Sequence, residues 1–170
     1  MARKSVTKKI LIVLDGLVKE TASIIYPYKG LGKHFRKFEG SFSQALYKIK
    51  QRGYIETVEN AGKKYLKITQ KGRLKLIGTD KLIKWDGFWR IIAFDIPEEF
   101  KKTRDVFRHK LSELNCKPIQ KSVLISPSDI SDQLDNLIEL LNIDNYVEYF
   151  ICKVSTNEDK FLELFGLEKQ

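Results

Sequence analysis

Cysteine and histidine are scarce in this sequence, two of each: Cys116, Cys152, His34 and His109. Nothing in their spacing pairs thiols or sets Cys beside His, so a zinc site is not expected and reduced thiols are the default. Long apolar runs are also missing. None approaches the ~20 residues that a membrane helix needs. The stretch "MARKSVTKKILIVLDGL" is basic and then apolar, as a secretion signal is, but Asp15 breaks the run and no small-residue cleavage site precedes Lys19 and Glu20. The expectation is an amphipathic helix in a cytoplasmic protein without a membrane role. Acidic residues are scarce in one half only. Residues 1–84 hold 6 Asp/Glu against 20 Lys/Arg, a net +14, while residues 85–170 hold 16 against 11, a net −5. A split of this kind predicts two modules with different work, the basic one facing a polyanion.

What is present fits a soluble globular chain: 42% hydrophobic and 31% charged over 170 residues, enough for one medium domain or two small ones. In the basic half, Ile10, Val13, Leu14, Leu17, Val18 and Ile24/Ile25 recur at helical spacing and predict one helix over residues 8–25. The next segment, "YPYKGLGKHFRKFEG", is broken by Pro27 and three glycines, with room for a short helix around Leu31–Phe38. A clearer helix follows in "GSFSQALYKIKQRGYIE", with Ser41 as candidate N-cap and Gly53 as the residue after its end. Phe42, Ala45, Leu46 and Ile49 make its buried stripe. The opposite face then carries Ser43, Gln44, Tyr47, Lys48 and Gln51, with no acid at all.

"YIETVENAGKKYLKITQKG" reads as a hairpin: a strand over 54–59, a turn at Asn60-Ala61-Gly62, and a return strand over 63–69. Another short helix begins in "TQKGRLKLIG". Helices followed by a basic-tipped hairpin outline a winged helix-turn-helix over residues 1–80, with the acid-free helix in the major groove of duplex DNA. Lys63 and Lys64 at the hairpin tip would reach phosphates, and Ser43, Gln44, Tyr47, Lys48 and Gln51 would meet base edges and backbone. Winged helices also serve as protein-binding modules. The charge favours nucleic acid.

In the second half, "FWRIIAFDI" is a strand with two apolar faces, Trp89, Ile91 and Ala93 on one and Phe88, Ile92, Phe94 and Ile96 on the other. "PEEFKKTRDVFRHKLSELN" is a helix with Pro97 in its first turn and Glu98 and Glu99 at its positive end. Two strands lie in "CKPIQKSVLISPSD", a helix in "SDISDQLDNLIELLNI", a strand in "NYVEYFICKV" and a short helix in "NEDKFLELFGL". The order β-α-β-β-α-β predicts an α+β, ferredoxin-like sheet over residues 85–170 with two helices on one face. The Trp89 face would then need a cover, either a second copy or the N-terminal module.

The stretch "WDGFWRIIAFDIPEEFKKTRDVFRHKLSELNCKPIQKSVLISP" (85–127) resembles the central domain of the phenylacetic-acid operon repressor (PaaX) family in its "WDG.WR", its strand ending "FDIPE", its basic helix and its strand ending "SP". That domain is itself similar to the CRISPR adaptation protein Cas-two. The resemblance implies a DNA-binding transcriptional repressor, a homodimer joined through the Cas-two-like domain, with an effector it does not identify. It also implies a Mg²⁺ ion between Asp95, at the end of the first strand, and its symmetry mate. The alternative is a Cas-two-like Mg²⁺-dependent endonuclease or spacer-integration subunit with a fused winged helix. No second acid, general base or phosphate-loop lysine accompanies Asp95 in the motif, so no catalytic residue is assigned. From its position alone, Asp95 would accept backbone N–H groups of the next helix, from Glu98 or Glu99. His109 falls on a polar helix face.

Overall fold

The computed structural model describes residues 7–12, 15, 24–25, 42–60, 62–78, 85–153 and 156–168. The chain forms two compact units, Met1–Ile77 and Gly78–Gln170.

In the first unit residues 7–12 are helical, and Ile10 and Leu11 sink into a core with Leu46, Ile49, Ile55, Leu66 and Ile68. The predicted helix over 8–25 does not reach its expected end. Ile24–Ile25 form a short strand, β1, paired antiparallel with Leu66 and Tyr65. Two adjacent β-branched residues fit a pleated surface better than a helix turn, and apolar spacing alone could not tell the two apart. Helix α1 (Phe42–Gln51) ends where expected. Gly53 sits at φ +70°, its N–H bonded to Lys50 O and that of Tyr54 to Ile49 O, the double closure of a Schellman motif.

Strands β2 (Ile55–Asn60) and β3 (Lys63–Ile68) form the expected hairpin, turned at Gly62 with φ +70°, and the sheet order is β1-β3-β2. Thr69 then begins α2 (Gln70–Leu76): its hydroxyl accepts from Gly72 N–H at 3.1 Å and donates to Gly53 O at 2.6 Å. One side chain thus ties the end of α1 to the start of α2.

The second unit runs β4 (Trp89–Phe94), α3 (Lys101–Glu113), β5 (Lys117–Gln120), β6 (Val123–Ser126), α4 (Ser131–Leu141), β7 (Val147–Cys152) and α5 (Glu158–Phe165). The four strands make one antiparallel sheet in the order β5-β6-β4-β7, so the first and third strands are central. This is the predicted β-α-β-β-α-β order. The face carrying Ile92 and Phe94 takes α3 and α4: Phe94 meets Phe107 edge-on at 5.4 Å, and Leu111, Leu134 and Leu137 are buried there.

The other face differs from expectation. Trp89 is fully buried, but by the chain itself. Its ring lies 5.2 Å from Trp85, 5.6 Å from Phe161 and 5.7 Å from Phe165, and Ile125 and Leu162 complete the cluster. Lys117 holds the end of α5 in place, its ammonium 4.9 Å from the Phe165 ring centre and donating to Leu164 O. Within the second unit, the cover over Trp89 is therefore α5. The apolar side of this two-turn amphipathic helix removes that area from water.

Candidate nucleic-acid interface

The packing of α1 decides which of its side chains face outward. Leu46 and Ile49 are buried against the first core and Ala45 is partly so. That leaves Gln44, Tyr47, Lys48 and Gln51 exposed on the other side, Tyr47 by 64%. Ser43 lies on the first turn of α1, its side chain outside the described set. An exposed tyrosine between two glutamines and a lysine, with no carboxylate, offers donors, an acceptor and an apolar ring edge to a groove. Lys50 is already committed, donating to Thr57 Oγ1 at 2.8 Å.

Lys63 and Lys64 are the first two residues of β3, directly after the turn, with side chains outside the described set. The register adds what the sequence reading missed. Lys64 stands opposite Glu59 and Lys67 opposite Glu56, whereas Lys63 stands opposite Asn60. Two of the hairpin's lysines thus occupy ladder positions opposite acidic residues. The acids all fall on β2 and the lysines all on β3, which carried that signal. The reading also passed over Arg52, Lys71, Arg73 and Lys75, which are exposed on the same unit. Lys71 reaches over the Tyr54 ring, 5.5 Å from its centre.

In the second unit, Asp95 is exposed just beyond β4, and its backbone N–H donates to Tyr146 O at 2.9 Å. Its expected service to the next helix is not what closes that turn. The cap position falls to Pro97, which has no side-chain cap bond. The turn is held instead by Arg104, which donates to Ile96 O at 3.2 Å and to Glu98 at 2.6 Å. Glu98 is thereby engaged, and Arg104 holds its pKa below the usual carboxylate range. Among the described residues no cluster of three His, Cys, Asp or Glu side chains could hold a metal ion. A single chain thus offers Mg²⁺ one carboxylate at Asp95, the other of the expected pair belonging to a symmetry mate. His109 is 74% exposed and 3.4 Å from Glu113, the solvated histidine expected. Burial pushes the Cys116 thiol up to about 12, which removes it as a nucleophile.

The "WDGFWR" stretch is a clamp. Asp86 accepts Phe88 N–H at 3.0 Å, Gly87 turns the chain at φ +83°, and Trp85 Nε1 donates to Phe88 O at 3.1 Å. Arg90, almost wholly buried, grips Asp86 and also donates to Phe88 O. Arg90 therefore fixes the path by which the chain enters β4.

Residues 83–162 match the family model of the PaaX protein central Cas2-like domain. The second unit holds a PaaX central Cas2-like domain. The match begins just before the Asp86–Arg90 clamp and ends within α5, so it covers the four-stranded sheet and both helices of one face. No curated protein matches the chain. The Cas2-like domain is α+β with a four-stranded antiparallel sheet, and no helix among the described residues is long and apolar enough to cross a membrane.

Proposed function

We propose that this chain is a cytoplasmic PaaX-like transcriptional regulator, a repressor that grips duplex DNA with its first unit and dimerises through its Cas2-like domain. The observation that carries the reading is the outward face of α1: Gln44, Tyr47, Lys48 and Gln51, exposed and acid-free, in a half-chain of net charge +14. The order around it supports a winged helix-turn-helix. A helix and a short strand come first, α1 follows, and then comes a hairpin whose second strand pairs back to β1. The remaining helix of such a motif would fall in residues 26–41, outside the described set. The Cas2-like domain, read as ferredoxin-like, supplies the two-fold. A two-fold dimer asks for two half-sites about one helical turn apart, ~34–36 Å, or a multiple of that.

The test is fluorescence anisotropy on a labelled duplex from the chain's own promoter, titrated at several salt concentrations. Affinity should fall steeply with salt, and a scrambled duplex should bind more weakly by the ~10³ or more typical of specific recognition. Salt-independent or absent binding would refute the reading. Asp95→Asn should leave duplex binding unchanged. A Mg²⁺-dependent cleavage that disappears in that variant would turn the assignment to a nuclease.

A further inference from the structure

Hydrogen bonding along β4 alternates between its two neighbours. Asp95 N–H donates to Tyr146 O in β7 register, and Phe94 N–H donates to Ser122 O in β6 register. Carried along the ladder, Glu148, Phe150 and Cys152 exchange backbone bonds with β4. The N–H and C=O groups of Val147, Tyr149 and Ile151 therefore point to the outer edge of the sheet.

The two outer edges are treated differently. On β5 the edge begins at Lys117, carries Pro118 and has a register shift between Pro118 and Gln120. All three features discourage another strand from pairing. β7 is plainer: Val147–Cys152 has a single charge, Glu148, no proline and an unbroken register with β4. Its exposed apolar side chains are Phe150 at 51% and Ile151 at 56%, one on each face. A regular, apolar, unprotected edge beside a blunted one marks a pairing surface.

We infer that β7 pairs antiparallel with the β7 of a second copy, joining two Cas2-like sheets edge to edge. This rests on the proposed dimer and names its contact. A two-fold axis normal to the sheet keeps like faces on one side, so only residues of the same parity stand opposite each other. The register that centres the exposed apolar pair sets Phe150 against the partner's Phe150 and Tyr149 against the partner's Ile151. Tyr149 and Ile151 carry the outward backbone groups, so this pair exchanges the new hydrogen bonds. Phe150 is left in a non-hydrogen-bonded position, where opposed Cα atoms approach to ~4.5 Å. Glu148 meets the partner's Cys152, so no like charges are opposed. Strand and complement are the same five residues, 148–152, as an isologous interface requires.

The test uses the full chain in a Cys152→Ser background. Phe150→Cys, at a half-exposed position, should form a disulfide dimer in aerated buffer, dissolved oxygen taking up the two electrons, because Cα atoms ~4.5 Å apart lie within the range that disulfides span. Ile151→Cys should not, since its mate would be displaced along the strand. Ile151→Pro removes only an outward-facing donor, so it should give a monomer by sedimentation with an unchanged circular dichroism spectrum. A wild-type dimer whose Phe150→Cys variant stays uncrosslinked, or whose Ile151→Pro variant stays dimeric, overturns the edge pairing and leaves the dimer. A wild-type monomer at micromolar concentration overturns both.

Discussion

Arg90 holds Asp86, four residues before it, through both terminal nitrogens at 2.5 and 2.7 Å. The guanidinium is nearly all buried, the carboxylate about half exposed, and Asp129 stands 3.9 Å away as a second, weaker counter-charge. A buried cation must be compensated. The compensating carboxylate also accepts the Phe88 N–H, so one residue settles both charge and turn. The stretch that most strongly carries the family resemblance is therefore an entry clamp for the sheet.

Asp86→Asn should destabilise the Cas2-like domain by roughly 2 kcal/mol, below the range for a fully buried pair because water still reaches Asp86. The pH dependence has a definite sign. The hydrogen bond from Arg90 is the main cause that holds the Asp86 carboxyl at about 2, below its ordinary value of 3.8. A depressed carboxylate pKa gives stability that is complete above the ordinary value and is lost as pH falls through the folded one. Urea midpoints should thus drop between about pH 4 and pH 2 in the native chain, and the asparagine variant should show a shallower fall.

Gly72 cannot be replaced. A Cβ there would lie 2.1 Å from the Tyr54 carbonyl oxygen and 2.7 Å from Ile68 Cγ2, and the first of these is backbone. Gly72→Ala should cost the first unit on the order of 2–3 kcal/mol, an overpacking penalty that outweighs the gain in helix propensity. Thermal melts should show the transition of that unit lowered and the Cas2-like domain unmoved. A neutral substitution would mean that α2 does not sit this close to Tyr54.

Much of the fold was legible because local chemistry and packing agree. Gly53 and Gly62 take the left-handed conformations their turns need, and the run around Ile91 and Ile92 is the central strand its double apolar face implied. Pairing partners were less legible. Ile24 and Ile25 belong to a strand only because Leu66 and Tyr65 are there to pair with, a contact some forty residues away in the chain. Likewise, Phe161 and Phe165 fall in the short helix expected in "NEDKFLELFGL", and nothing local says that they land on Trp89. The candidate site shows the same division. The face of α1 follows from its own periodicity, while the placement of Glu56 and Glu59 opposite Lys67 and Lys64 appears only with the hairpin register.

Phe161→Ala combined with Phe165→Ala should strip the cover from Trp89. The two rings are partly buried, so the expected loss is about 3 kcal/mol for the pair, less than for fully buried phenylalanines. Tryptophan emission should shift to the red. Because α5 covers Trp89 within one chain, the native emission should not depend on protein concentration. Native emission that turns blue on concentrating the sample would restore a second copy as the cover.

The hairpin lysines should be unequal. Lys64 stands across from Glu59 in the ladder, while Lys63 stands across from Asn60. Each phosphate contact removed lowers the slope of log affinity against log salt by about 1. Lys63→Glu should therefore weaken duplex binding strongly and flatten the salt dependence. Lys64→Glu should do less of both, and Lys64→Glu with Glu59→Lys should recover most of the loss. Tyr47→Ala is the control of opposite type. It should lower the preference for the promoter duplex by about 1–3 kcal/mol while leaving the salt slope in place, because a side chain that meets base edges releases no counterions. Equal losses from Lys63 and Lys64 would detach the hairpin register from DNA recognition, and a changed salt slope in Tyr47→Ala would move that residue from base edges to the backbone.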